Sequence, residues 1–347
     1  MAALGPGLAG TNRRGPTARG APDHRRHSDE GRPAAREDAP GRAPARVGRH
    51  RPRRGPNPPR KTGHAWLFSA PFLLVFCVMY ALPLLAGLVM GFTDMRSTDV
   101  RDPFGVNFVG LANFERLFQD ESMRRAAVNT LFFVVTTTPL TIALGLAAAI
   151  LLNSGITRLR TFFRLGYYLP YVTSIIGIAV VWRLLLDPQA GLLNSLLRSA
   201  GVEGPAWLLD ERTALPSLVL MSAWRNFGFD MVVFLAALQG VPRELYEAAD
   251  VDGAGMWAKF RGITVPMLRP AILFCGVYSA AGFMQFLEEP LVMTKGGPLN
   301  STLSASLAIY NQFGFGNYGY GAAAATVLFT VIAAFSFAQF RWLRPKT

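Results

Sequence analysis

Residues 244–270, ELYEAADVDGAGMWAKFRGITVPMLRP, are the one long polar interruption in the back half of an otherwise apolar chain. Glu247 to Val251 are mostly good helix formers, whereas the Gly253-Ala254-Gly255 run lets a helix end or turn. The spacing predicts a short helix, a Gly-containing turn and a second short helix. Val265, Pro266 and Pro270 are expected to close the unit, because proline stops a helix or opens one at its first turn. An apolar run begins at once on the far side. A polar helical hairpin therefore stands between two hydrophobic spans, where it must face water or a partner.

Outward from the hairpin, six stretches hold the roughly 20 mostly apolar residues that a membrane helix needs. They run near Trp66–Phe92, Ala126–Leu152, Leu165–Leu186, Ala214–Leu238, Ala271–Met293 and Gly321–Phe340. Trp66, Tyr80, Tyr167, Tyr168 and Trp342 lie near their ends, where amphipathic rings favour the interface. The reading is an all-α integral membrane protein with six transmembrane helices. Asn113–Phe118 (NFERLF) reads as a short amphipathic helix on the outer surface.

Residues 1–63 are a different polymer, rich in Arg, Pro and Gly, with 15 Lys/Arg against 5 Asp/Glu; they carry ten of the chain's net +13. With almost no large apolar side chains, this leader is expected to be unstructured. It lacks aromatic residues to stack on bases, so no nucleic-acid partner is expected; a cytoplasmic position beside membrane lipid is. The apolar run that follows is too long for a signal-peptide core. Cations also gather at Arg158, Arg160 and Arg164, in the hairpin, and after Arg341, which places both termini and the hairpin in the cytoplasm. The segment 93–125 is the exception, since Arg96, Arg101, Arg116, Arg124 and Arg125 fall in a predicted outer loop. The chain divides into a leader (1–63), a first span with its outer loop (64–125) and a core (126–343).

All four histidines, His24, His27, His50 and His64, lie in or beside the leader, which argues against metal sites or His-based catalysis in the hydrophobic body. Cys77 and Cys275 stand singly in apolar runs and read as packing residues. No GxxxxGK[ST] sequence occurs, so no P-loop cradles ATP here. Carboxylates on the hairpin lack a nearby nucleophile or base, so the chain is not read as an enzyme.

The hairpin's Glu247-Ala248-Ala249, Asp252-Gly253-Ala254, Phe260, Ile263 and Pro266 resemble the EAA loop of ABC-importer permease subunits, with Val265 where that family usually has Leu. Two further runs are similar to carbohydrate-type permeases: Tyr168-Leu169-Pro170, Trp182, Leu186-Asp187-Pro188 and Gly191 to Asn194; then Thr294, Gly296-Gly297-Pro298, Asn300, Thr302, Tyr310 and Tyr320-Gly321. The resemblance covers most of residues 126–340. It implies the type I importer permease fold of the maltose and glycerol-3-phosphate group, in the bacterial plasma membrane. It also implies four partner chains: a second homologous permease, two ATPase subunits that hold ATP and Mg and receive the helix near Glu247, and an extracytoplasmic solute-binding protein. Ala248, Ala249 and Ala254 would allow close approach to the ATPase, and Glu244, Glu247, Asp250 and Asp252 would face its cations.

The solute path is expected on the spans beside the hairpin. Ser222, Asn226 and Phe229 share one face of the fourth span, and Ser279, Phe283 and Phe286, with Gly282, one face of the fifth. Hydroxyl, amide and ring together suit a sugar, and these positions match the maltose-type substrate site by distance from the two motifs. Arg225 and Asp230 are charges within the fourth span, and Glu288 and Glu289 sit toward the outer end of the fifth. Arg225 could meet an acidic solute such as sn-glycerol-3-phosphate, or pair with Asp230 or Glu289. An ion-driven secondary transporter is the reading from a different class.

Overall fold

The computed structural model describes residues 62–101, 105–154 and 160–343. Residues 1–61 of the leader, with His24, His27 and His50, lie outside the described residues, as do Arg158 and the side chains of His64, Trp66 and Trp342. Among the described residues the chain is helical between its loops, with one isolated bridge joining Thr93 and Phe108.

The first span is α1 (Thr62–Phe76), a π-turn at Cys77–Ala81, and α2 (Leu82–Met90). From Phe68 to Met90 no side chain is buried, which fits an apolar helix whose solvent is lipid. The span is held at its far end by close backbone approach. A Cβ on Gly91 would lie 3.1 Å from the Ala323 backbone. The predicted amphipathic helix is present as α3 (Ala112–Gln119). Leu117 buries against Tyr320 and Ala324, while the Arg116 guanidinium lies 4.9 Å from the centre of the Tyr320 ring.

The core is built on α4 (Glu121–Ser154). Next come α5 (Arg160–Val172), α6 (Ile175–Leu185) and α7 (Leu192–Ser199), then the central α8 (Glu211–Gln239). The hairpin holds α9 (Arg243–Val251) and α10 (Met256–Lys259), and α11 (Val265–Phe283) leaves it. Finally α12 (Glu288–Met293), α13 (Ala305–Gly314) and α14 (Tyr318–Leu343) complete the chain. Ala148, Ala149 and Leu152 of α4 pack with Phe234, Leu235 and Leu238 of α8 and with Leu268 of α11. Phe133 and Val134 pack with Leu215, Leu218, Val219 and Met221 and with Ala280 and Phe283. Hence α4 and α8 run parallel and α11 runs against them. Their approach depends on Gly145, where a Cβ would stand 2.7 Å from Asp230 Cβ and 3.0 Å from the Met231 nitrogen.

Among the described residues, five helical segments are long and apolar enough to cross a membrane: Phe68–Met90, Glu121–Asn153, Glu211–Gln239, Met256–Phe283 and Tyr318–Gln339. The third predicted span is not one straight helix. It is the pair α5 and α6, bent by 98°. Pro170 supplies no N–H to the turn before it, the Thr173 hydroxyl donates back to the Leu169 carbonyl (2.8 Å), and Ser174 adopts an extended ψ of 124°. Gly228 draws α5 onto α8, since any Cβ there would lie 2.0 Å from the Tyr167 carbonyl oxygen.

The fifth span also differs from the expected Ala271–Met293. It begins at Met256 and ends at Phe283. Those 28 residues rise about 42 Å, more than the ~30 Å hydrocarbon core requires. The segment after Phe283 is therefore free to leave the span. Glu288 and Glu289 sit on the separate α12, drawn inward where Glu289 accepts from Ser222. Pro266 opens α11 in its first turn, as expected of a proline there, but Pro270 closes nothing. A π-turn at Phe260–Thr264 joins α10 to α11, Pro266 falls in the first turn of α11, and Pro270 lies inside it.

Candidate functional site

A cavity of about 640 Å³ opens between α5, α6, α8, α11 and α12. Seven of the eight predicted path residues line it: Arg225, Asn226, Phe229, Ser279, Gly282, Phe283 and Phe286. Ser222 does not. It is fully buried behind the wall, where its hydroxyl donates to Glu289 Oε1 at 3.0 Å and its carbonyl accepts from Asn226 Nδ2 at 2.7 Å.

The sequence did not point to Tyr171, Tyr278, Gln285 or Glu288 as lining residues, yet all four are. Tyr171 comes from the last turn before the bend, which a straight third span would have carried elsewhere. Its hydroxyl and that of Tyr278 are 3.0 Å apart. The Phe229 ring lies between them, 5.1 Å from the Tyr171 centroid and 4.9 Å from that of Tyr278. Phe133 stacks on Phe286 at 3.8 Å behind the opposite wall. The cavity thus has an aromatic shelf beside hydroxyl, amide and charged groups. Ring faces can cover C–H surface while the polar groups take or give hydrogen bonds.

Arg225 does not form either predicted ion pair. Its Nη2 donates to the Tyr171 carbonyl (3.3 Å) and its Nη1 to Asn226 Oδ1 (3.4 Å), and its guanidinium carbon stands 5.8 Å from the centre of the Tyr171 ring. Ion pairs among the described residues are Arg124–Glu121 and Lys259–Asp250. The Arg225 Nε and Glu289 Oε2 are both shielded from solvent without hydrogen-bond partners. Asp230 faces the other way, fully buried against Gly145. Burial pushes the Glu289 carboxyl up; its own backbone N–H, the Ser222 hydrogen bond and the Arg225 charge act in the opposite sense.

The hairpin projects from the end of the molecule that holds Leu152, Leu238 and Leu268. Gly253 turns it with φ of +72°, a conformation that side chains strain to adopt. Tyr246 and Thr264 tie α9 to the π-turn, with their hydroxyls 3.0 Å apart. Glu244, Glu247, Ala248 and Asp252 are exposed, Ala249, Ala254 and Pro266 half-buried. Asp250 is occupied by the Lys259 ammonium, so the acidic face is smaller than the sequence suggests. Instead the hairpin tip shows Val251, Met256 and Trp257, 88%, 89% and 71% exposed.

A model of the family described as "Binding-protein-dependent transport system inner membrane component" matches residues 141–347. The chain belongs to this family. Such a permease is a transport component rather than an enzyme. The permease is 34% identical over 289 residues, 82% of its length and 95% of the relative's, to the lactose transport system permease protein LacF of Rhizobium radiobacter. It is 35% identical to the arabinooligosaccharides transport system permease protein AraP of Bacillus subtilis, over 80% of this chain and 87% of that one. A solved bacterial ABC transporter involved in import of the acidic polysaccharide alginate superposes with a TM-score of 0.70 at 25% identity, over 82% of this chain and 97% of that one. The permease therefore has the multi-pass type I importer fold expected of it.

Proposed function

We propose that this permease forms the membrane path of an ATP-driven carbohydrate importer, and that the cavity between α5, α8, α11 and α12 is its solute site. The observation that carries the reading is the convergence of Asn226, Ser279 and the Tyr171–Tyr278 pair with the ring of Phe229 in one cavity. Hydroxyl-rich solutes with apolar faces need that mixture. The names of the relatives support carbohydrate as the class, although lactose is neutral and alginate acidic.

An extracytoplasmic binding protein delivers the solute, and a second permease completes the path. Two ATPase subunits bind ATP and Mg and grip the hairpin at Glu247, Ala248, Ala249, Asp252, Gly253 and Ala254. Their closure moves α9 and α10. Because α10 continues through the π-turn into α11, displacement of the hairpin is passed to Ser279, Gly282 and Phe283 on the cavity wall. Alternating access follows, with the hairpin end in the cytoplasm.

Co-purification from the native membrane tests the coupling. An ATPase subunit should accompany the wild-type chain and be lost with Gly253→Pro, because proline holds φ near −65° where the turn needs a positive value. Loss of the ATPase should abolish sugar-stimulated ATP hydrolysis. A wild-type chain that brings down no ATPase from intact complexes would overturn the reading.

A further inference from the structure

Arg225 alone would make the cavity a natural receptor for an anion. Its surroundings do not leave it alone. Glu288 and Glu289 line the same cavity, so one guanidinium faces two carboxyl groups within one low-dielectric enclosure. Glu289 is 4% exposed, held at Oε1 by Ser222, and its Oε2 has no partner. Arg225 keeps a shielded, unpartnered Nε and makes only bonds to neutral oxygens. An arginine built to clamp a carboxylate or phosphate presents its fork to an open site without competing acids. Here any anion drawn to Arg225 must also approach two acidic side chains, whereas a neutral polyol can bridge both signs, donating hydrogen bonds to the carboxylate and accepting them from the guanidinium.

We infer that this cavity passes uncharged carbohydrates and rejects anionic ones, with Glu288 and Glu289 as the residues that set this preference against Arg225. The inference rests on the cavity being the solute path.

The electrostatic preference can be read without knowing the solute. Gly282→Cys places a thiol on the cavity wall, at a position where an added Cβ meets nothing within 4 Å. In native membranes holding the assembled transporter, and with Cys77→Ser as background, the thiol is titrated with cationic trimethylammonioethyl methanethiosulfonate and anionic sulfonatoethyl methanethiosulfonate. Rates are normalised to a small free thiol, and the parent that keeps Gly282 gives the blank. The cationic reagent should react at least ~10-fold faster, because a net negative site attracts the cation and repels the anion. Glu288→Gln with Glu289→Gln should erase or invert that ratio, and Arg225→Gln should raise it.

A thiol that neither reagent reaches overturns the solute-path reading and this inference with it. A reachable thiol with no cationic preference, or one whose ratio ignores the glutamine substitutions, overturns the charge inference alone. The glutamines keep the acceptor that Ser222 uses, and Arg225→Gln reads the same balance from the opposite side should the double variant fail to assemble.

Discussion

Ser222 shows how one hydroxyl can act on the cavity without touching its contents. The hydrogen bond to Glu289 favours the ionised carboxylate, whereas burial of Glu289, on α12 outside the spans, disfavours it. Because burial raises the pKa, Glu289 takes up a proton at higher pH than an ordinary carboxylate does. In the Gly282→Cys variant, the cationic preference of the introduced thiol should accordingly fall as pH is lowered, and the fall should begin above the range in which an ordinary carboxylate titrates. Ser222→Ala removes a bond that favours the charged form, so the midpoint of that fall should move to higher pH. A midpoint that stays or moves down would show that Ser222 does not act through Glu289. Asp187 illustrates the opposite balance. The N–H groups of Ala190 and Gln189 hold its carboxyl below the usual range, in a loop that Asn194 ties together through Pro188, Pro205 and Trp207. Asp187, Pro188 and Asn194 are legible in the sequence as a motif, and in the structure their hydrogen bonds brace this loop.

At the level of elements, two glycines decide how closely the helices meet. Gly228→Ala would drive a methyl group into the Tyr167 backbone at 2.0 Å, and neither backbone can yield without opening the α5–α8 seam. It should destabilise the purified permease by about 1–3 kcal/mol or more, the range for overpacking a closed interface, measured by denaturation in detergent. Gly282→Ala, in open space, is the control and should be close to neutral. On the hairpin, Trp257→Ala should weaken retention of the ATPase more than Asp250→Asn, because Trp257 is largely exposed and Asp250 already holds Lys259. A buried aromatic anchor at an interface is commonly worth ~2 kcal/mol, roughly 30-fold in affinity. Equal effects of the two changes would favour the acidic face. These elements also mark what the sequence could and could not tell. Apolar length found the spans and helical spacing found Asn226 with Phe229, because both are local periodicities. The 98° bend and the early end of the fifth span were hidden, since both depend on contacts between distant segments: Tyr167 on Gly228, and Glu289 on Ser222. The same cause hid Tyr171 and Glu288 from the site.

Across the whole molecule the two ends are built for different work. One end carries the hairpin with its exposed Val251, Met256 and Trp257. At the other, the loop before α13 is fixed to α4 by donation from Asn129 to the carbonyls of Asn300 and Leu303 and from Arg125 to that of Leu299, and the Thr294 and Thr302 hydroxyls lie 2.7 Å apart inside it. A stiff end and a projecting end suit docking of a solute carrier on one side and transmission of force on the other. The positive charge of residues 1–63 argues that the projecting end is cytoplasmic, although the cations between Arg96 and Arg125 oppose it. Single thiols resolve that conflict. With Cys77 replaced, Met256→Cys and Leu299→Cys place reactive groups at 89% and 73% exposed positions on opposite ends. A membrane-impermeant maleimide should label the Leu299→Cys variant in right-side-out vesicles and the Met256→Cys variant only in inverted ones. The reverse pattern would put the hairpin outside, away from any cytoplasmic ATPase, and the charge at Arg96 to Arg125 would then be the one that fixes the orientation.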